Sequence, residues 1–378
     1  MNKETLPGDK RIKFGINELA GSVGDFGTIF PIILGVALVS NVNLSTIFLF
    51  FAIWYALVGV YYNMPIPVEP MKAIGAVVIA EGLSAPEIAA SGIIIGVMFL
   101  LIGYLRGMKK IQRFIPESVI RGVQAGLAIL LLKTSFGFVI NDLTFALISV
   151  FIVLLFMILS LRTKIPDLSA LIIIGIGIAT GFFAYGIPNP KMIAIPEIVI
   201  PETADFVFSA WHLVIPQIPL TLTNAILATS LLAFDLFKRD AEPDKLSKTI
   251  GAMNIISCPL GGFPMCHGAG GLAAQYRFGA RTGGSNVFAG IIMLGFAFFF
   301  ATPEMLRIIP TGIFAGLLIF VALTLGKSAS KTDSWPVTIL IGILTPFTGI
   351  TFAFAGGMLL AYFEKFRVKK NRNDGNRM

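Results

Sequence analysis

The sequence predicts an all-α polytopic membrane protein of about fourteen transmembrane segments in a 7+7 inverted repeat, with half-helices in spans 3 and 10. Three observations carry that prediction: composition, the placement of basic residues, and recurring sequence pairs. Of 378 residues, 56% are hydrophobic and 13% charged, with 33 Phe and a mean hydropathy of +0.85. An ordinary soluble domain is about 25% charged, and this much apolar surface cannot be hidden inside a water-soluble fold of this length. A span needs about 20 apolar residues, so fourteen spans use roughly 280 and leave no room for an appended soluble domain.

Residues 1–13 are polar and basic, with no apolar core ahead of a cleavage site, and are read as a cytoplasmic N-terminal tail rather than a removable signal. Apolar runs between breakers place spans at 14–38, 44–62, 64–81, 88–106, 117–138, 143–161 and 168–187 in a first repeat, residues 14–190. After an external connecting loop, 191–211, the second repeat (212–364) has spans at 212–236, 247–261, 263–279, 285–302, 309–325, 336–349 and 350–364. Residues 365–378 form a basic cytoplasmic tail. With the N-terminus inside, the inner side receives Lys10, Arg11, Lys13, Arg106, Lys109, Lys110, Arg113, Arg162, Lys164, Lys238, Arg239, Lys245, Lys248, Arg277, Arg281, Lys327 and Lys331. The outer loops hold only Lys133, Lys191 and Arg307. The formal charge of +8 is therefore a topology signal and not the mark of a nucleic-acid partner. The expected location is the cell membrane, multi-pass, with both termini cytoplasmic.

Met64-Pro65 and Phe263-Pro264 lie 199 positions apart, an offset shared by Asn17 and Pro216; Ile115-Pro116 and Ile309-Pro310 lie 194 apart. Seven spans per repeat is an odd number, so the second half starts on the opposite face and the repeat is inverted, an arrangement that places binding sites near the bilayer midplane.

The third and tenth spans are abnormal. Asn63-Met-Pro-Ile-Pro-Val-Glu-Pro70 holds three prolines in its last six residues and must be extended up to Pro70, where a helix through Met71 and Lys72 begins. Gly261-Gly-Phe-Pro-Met-Cys-His267 is likewise extended, and a second half-helix begins at Gly268, running through Ala269 and Gly270. Two helix N-termini facing each other at mid-depth, each with about +0.5 charge and free N–H donors, describe with Lys72 a site for an oxyanion. Among ionisable residues in the membrane interior, Asp25, Glu69, Lys72 and His267 are functional candidates; Glu18 and Asp235 lie nearer the inner interface. Glu18 reads equally well as a first-turn carboxylate, and Glu117 with Arg121 reads as a structural i,i+4 pair. Gln217, Thr221, Thr223 and Asn224 either line the pocket or bond neighbouring helices. Cys258 and Cys266 imply no disulfide framework. His212 and His267 lack a zinc-hydrolase spacing, and Gly268-Ala-Gly-Gly lacks the Lys-Ser/Thr ending of a nucleotide loop, so no enzyme, metal or cofactor is expected.

Glu18-Leu-Ala-Gly-Ser-Val-Gly-Asp-Phe-Gly-Thr-Ile-Phe-Pro31, Pro67-Val-Glu-Pro-Met-Lys-Ala73, Pro116-Glu-Ser-Val-Ile-Arg-Gly-Val-Gln124 and Pro264-Met-Cys-His-Gly-Ala-Gly-Gly-Leu-Ala-Ala-Gln-Tyr-Arg-Phe-Gly279 resemble the molybdate transporter family, a branch of the sulfate permease superfamily. The resemblance spans essentially the whole chain. It implies fourteen spans in two inverted halves, divided into core and gate domains, with the anion bound between spans 3 and 10 and no soluble regulatory domain after the last span. Where that family usually has Gln, this chain has Glu69; a carboxylate there either repels the anion or is protonated with it.

The expected function is secondary active transport of a tetrahedral oxyanion, molybdate first and sulfate or tungstate next, coupled to protons. Lys72, with backbone amides near Met71 and at Gly268, Ala269 and Gly270, would bind the anion, His267 standing in the same segment. Gln217 and Thr221 would complete the pocket, and Glu69 or Asp25 would carry the proton. The partners are thus the oxyanion, protons and the lipid bilayer, with a homodimer left open. The alternatives are a proton-coupled nucleobase carrier of the same architecture, a passive anion channel, or a membrane-embedded enzyme.

Overall fold

The computed structural model describes residues 11–40, 42–108, 116–162, 168–186, 192–193, 195–301 and 304–375. Lys10, Lys109, Lys110, Arg113, Lys164 and Lys191, used above to orient the chain, lie outside the described residues. The chain is helical: α1 Ile16–Ser22, α2 Phe26–Val39, α3 Leu44–Tyr62, α4 Lys72–Glu81, α5 Ala85–Tyr104, α6 Glu117–Asn141, α7 Leu143–Arg162 and α8 Ser169–Tyr185. These are followed by α9 Thr203–Phe237, α10 Pro243–Ser257, α11 Ala269–Phe278, α12 Gly284–Phe299, α13 Thr311–Ala329, α14 Trp335–Thr348 and α15 Ile350–Gly375. Among the described residues, six helical stretches are long and apolar enough to cross a membrane: Ile16–Val39, α3, α5, α6, α9 and α13.

Two strands of two residues each, β1 Glu69–Pro70 and β2 Met265–Cys266, pair antiparallel in the register Glu69 to Cys266 and Pro70 to Met265. Pro70 therefore ends the strand and does not open the helix; Met71 is the N-cap of α4, and its N–H donates to Pro264 O at 2.9 Å. Each strand runs directly into a short helix, α4 or α11, so the two helices leave a common ribbon in opposite directions. Asn254 of α10 extends the ribbon like a third strand: its Oδ1 accepts from Met265 N at 2.9 Å and its Nδ2 donates to Met265 O at 2.7 Å. A proline-rich segment cannot satisfy itself in lipid, and this amide supplies what the prolines omit.

Several boundaries differ from the sequence reading, each for a local reason. The first span breaks at Val23–Asp25 into α1 and α2, because Gly21 and Gly24 weaken the helix by about 1 kcal/mol each and Gly24 nests on α11, where a Cβ would meet the Gln275 backbone at 2.9 Å. The eighth span begins at Thr203 and not at 212, shortening the connecting loop placed at 191–211, because Glu202 and Asp205 form a capping box. The ninth begins at Pro243, a residue suited to a first helical turn. The last helix runs on to Gly375 through the segment read as a tail. Cys258 and Cys266 are both buried and free, and Glu117 and Arg121 pair at 2.7 Å.

The helices pack in two groups. In one, α3 lies on α12, α5 on α10, and α1 on both α11 and α12; in the other, α6 and α7 lie on α13, α6 on α14, and α14 on α15. The groups meet where α2 touches α13 and α4 touches α6. The ribbon and its two short helices belong to the first group and approach the second at this junction.

Candidate functional site

The site is built where the extended segments end. Glu69, fully buried on β1, sends its carboxylate across the ribbon to the start of α11, where Oε1 accepts from Gly271 N at 3.0 Å. Its Oε2 pairs with the Lys72 ammonium from the first turn of α4, whose side chain is 18% exposed. The first N–H groups of a helix have no intrahelical acceptor, and α11 meets this need with a carboxylate from the neighbouring strand. The approach requires glycine: a Cβ at Gly268 would stand 2.1 Å from Glu69 Oε1. Gly268 is the N-cap of α11; beyond it Ala269 is half-buried and Gly270 exposed, so the start of this helix opens to solvent-accessible space beside buried Glu69.

The start of α4 is closed differently. Gln217 of α9 is buried, and its Oε1 accepts from Ala73 N at 2.9 Å and Ile74 N at 3.4 Å, while its Nε2 donates to Thr221 Oγ1 at 2.9 Å. Gln217 and Thr221 thus act together as a neutral cap on α4, with the Met71 amide committed to Pro264. Of the two helix starts read from the sequence, only that of α11 holds an anion, and the anion is the protein's own.

Asp25, the residue that opens α2, reaches the same place. It is 1% exposed; Oδ2 accepts from Tyr55 OH at 3.2 Å. His267 is buried beside the ribbon but faces away from this cluster: Nδ1 donates to Pro67 O at 2.8 Å, and Nε2 meets Thr249 Oγ1 at 2.7 Å, which in turn contacts Tyr62 OH at 3.0 Å. Both ring nitrogens are engaged in holding the extended segment, which fits a structural post better than a substrate ligand. Glu18 is also structural in its contacts, since it accepts from Thr282 N at 2.9 Å and Arg281 N at 3.1 Å and pins the turn after α11.

Sequence reasoning passed over Tyr55, Thr249, Asn254, Gly271 and Gln275. A lone amide within an apolar span was available as a signal for Asn254 and Gln275. Gly271 is the last glycine of the run already singled out. Near the end of α3, a cavity of about 460 Å³ is lined by Tyr61, Tyr62, Met64, Arg239, Asp240 and Lys245. Arg239 there donates to the carbonyls of Asn63 and Tyr62 at 2.9 and 3.3 Å, capping the negative end of α3. Lys245 draws the exposed Glu242 carboxyl below the usual range, at 2.8 Å.

The family profile described as molybdate transporter of the MFS superfamily matches residues 17–131 and 209–325, stretches that contain Asp25, Glu69 and Lys72 and then Gln217, Thr221 and Gly268 to Gly271. Molybdate transporter 2 of Arabidopsis thaliana is 31% identical over 96% of this chain and 92% of its own length. Molybdate transporter 1 of the same plant is 29% identical over 84% of this chain and 80% of its own. Among solved structures, the transmembrane domain of the cyanobacterial bicarbonate transporter BicA superposes with a TM-score of 0.64 at 17% identity, over 91% of this chain and 96% of that one. Murine Slc26a9, an anion transporter in the inward-facing state, gives 0.69 at 14% identity, over 96% of this chain and 70% of that one. The broken spans, the internally neutralised helix start and these likenesses agree: the chain belongs to the molybdate transporter family and is a multi-pass membrane transporter rather than an enzyme.

Proposed function

We propose that this protein is a secondary active transporter of a tetrahedral dianion, molybdate first, with tungstate and sulfate as competitors, and that it moves the anion together with protons. The observation that carries the reading is the seat of Glu69. Its carboxylate, joined to Gly271 N and Lys72, is an oxyanion at a helix N-terminus beside an ammonium, so the same donors suit a substrate oxyanion once Glu69 withdraws. The anion would then lie at the start of α11, over the amides of Gly268, Ala269 and Gly270 and against Lys72. The neutral Gln217 and Thr221 hold α4 in place. The names of the Arabidopsis relatives favour molybdate.

A carboxylate that shares donors with a dianion must move or take up a proton when the anion arrives, and this links anion entry to proton entry. The two packing groups would serve as core and gate, with fourteen spans in two inverted halves of seven, both termini cytoplasmic, in the plasma membrane. The test is uptake by purified protein in liposomes. Saturable molybdate accumulation driven by an inward proton gradient, inhibited by tungstate more than by nucleobases, is the expected result. Flux that never saturates, or no uptake of any of the three oxyanions, refutes it.

A further inference from the structure

Asp25 Oδ1 is buried and has no partner among the described residues. It lies within about 5 Å of Glu69 Oε1, because the position a Cβ would take on Gly271 is 2.6 Å from the first oxygen and 2.5 Å from the second. Two carboxylate oxygens on separate elements therefore converge over one glycine, and any side chain there would drive both away. One turn further along the same face of α11, Gln275 is fully buried, and neither of its amide atoms has a partner among the described residues. Among the described residues, Lys72 is the only cation paired with either acid. The other titratable groups around the pair are Tyr55 on α3, whose hydroxyl donates to Asp25, Cys266 opposite Glu69 on β2, and His267, whose ring nitrogens are engaged elsewhere. Two carboxylates against one ammonium leave an excess negative charge in the membrane interior, where an uncompensated charge is expensive.

We propose that Asp25 and Glu69 hold a single proton between them, across Asp25 Oδ1 and Glu69 Oε1, and that this shared proton is the one carried with the anion. The inference rests on the transport reading above and assigns its coupling site to a pair of acids and to Gly271, the residue that lets them meet. When the dianion takes the α11 donors, the proton stays on the displaced pair as one O–H bond; it is drawn from water on the side where the anion enters, leaves to water with the anion on the other, and the empty carrier crosses back with both carboxylates ionised. No bond of the substrate is made or broken.

Infrared spectroscopy of the purified, anion-free protein, titrated from about pH 8 to about pH 5, tests this without reference to any substrate. A protonated carboxyl band is expected that shifts when aspartate carboxyls are isotopically labelled and also when glutamate carboxyls are, and that disappears in both Asp25→Asn and Glu69→Gln. In liposomes, the wild type should take up about one proton per molybdate and each single variant close to none, with the double variant no different from either. The labelling needs no substitution, so a variant that fails to fold leaves the proposal testable. It is overturned if the wild type lacks the band, if the band answers to only one of the two labels, if Asp25→Asn keeps proton-driven accumulation, or if accumulation at fixed pH requires sodium. Failure of molybdate transport with the band present would refute the substrate reading and leave the shared proton standing.

Discussion

Gly268→Ala isolates the seat of Glu69 from everything else. Gly268 has φ −161°, extended backbone that alanine adopts freely, so the substitution strains no dihedral. The new methyl would begin 2.1 Å from Glu69 Oε1, 2.3 Å from Cδ and 2.4 Å from Oε2, and all three must retreat by about an ångström or more to reach ordinary contact distance. Retreat breaks the bond from Gly271 N, a hydrogen bond to a charged group worth about 1.5–3 kcal/mol. A substrate oxyanion using the same donors meets the same methyl, so molybdate affinity should fall about 10- to 100-fold, at 1.4 kcal/mol per decade. Gly270→Ala is the reference, since a Cβ there meets nothing within 4 Å, and its thermal midpoint should match the wild type. The assays are calorimetric titration with molybdate and thermal unfolding of the purified proteins. If Gly268→Ala binds molybdate within twofold of the wild type, α11 does not hold the anion and the reasoning fails.

Glu69→Gln should bind molybdate with little pH dependence and lose accumulation driven by a proton gradient, whereas in the wild type affinity should rise as pH falls, because the proton and the anion favour each other's binding; liposome uptake between pH 5 and 8 checks this. Asn254→Ala strands the N–H and C=O of buried Met265 at about 1–3 kcal/mol each, so the melting temperature should drop by several degrees and uptake should fail with it. Met192→Cys and Asp333→Cys, both at exposed positions, should label only from outside and only from inside the cell respectively; labelling of both from one side would refute the topology. The pair of Glu242 and Lys245 is exposed at the surface. Its lowered carboxyl makes any contribution present above the ordinary Glu range and lost as pH falls through it, yet screening should leave Glu242→Gln with an unchanged melting temperature at neutral pH.

Composition and pattern alone determine that this chain lives in lipid, that it is helical, and where two spans fail to be helical. Those are local or summed properties: apolar length, the missing N–H of Pro65, Pro67 and Pro70, and the flexibility of Gly261 and Gly262 act on the chain wherever it folds. The helix starts near Lys72 and Ala269 were legible for the same reason, and so was the structural pairing of Glu117 with Arg121, which depends only on helical spacing. What local pattern cannot contain is which group fills each helix start. Two facing N-termini looked alike in sequence, but α9 brings the neutral Gln217 to one, while β1 carries the Glu69 carboxylate to the other, across about 200 residues. The break at Val23–Asp25 that delivers Asp25 to Gly271 was hidden inside an apolar run, and the direction of the His267 ring was set by Pro67 and Thr249 on two other elements. These were decided by the tertiary structure, because buried polar groups must find partners and those partners come from wherever packing brings a donor or acceptor within about 3 Å.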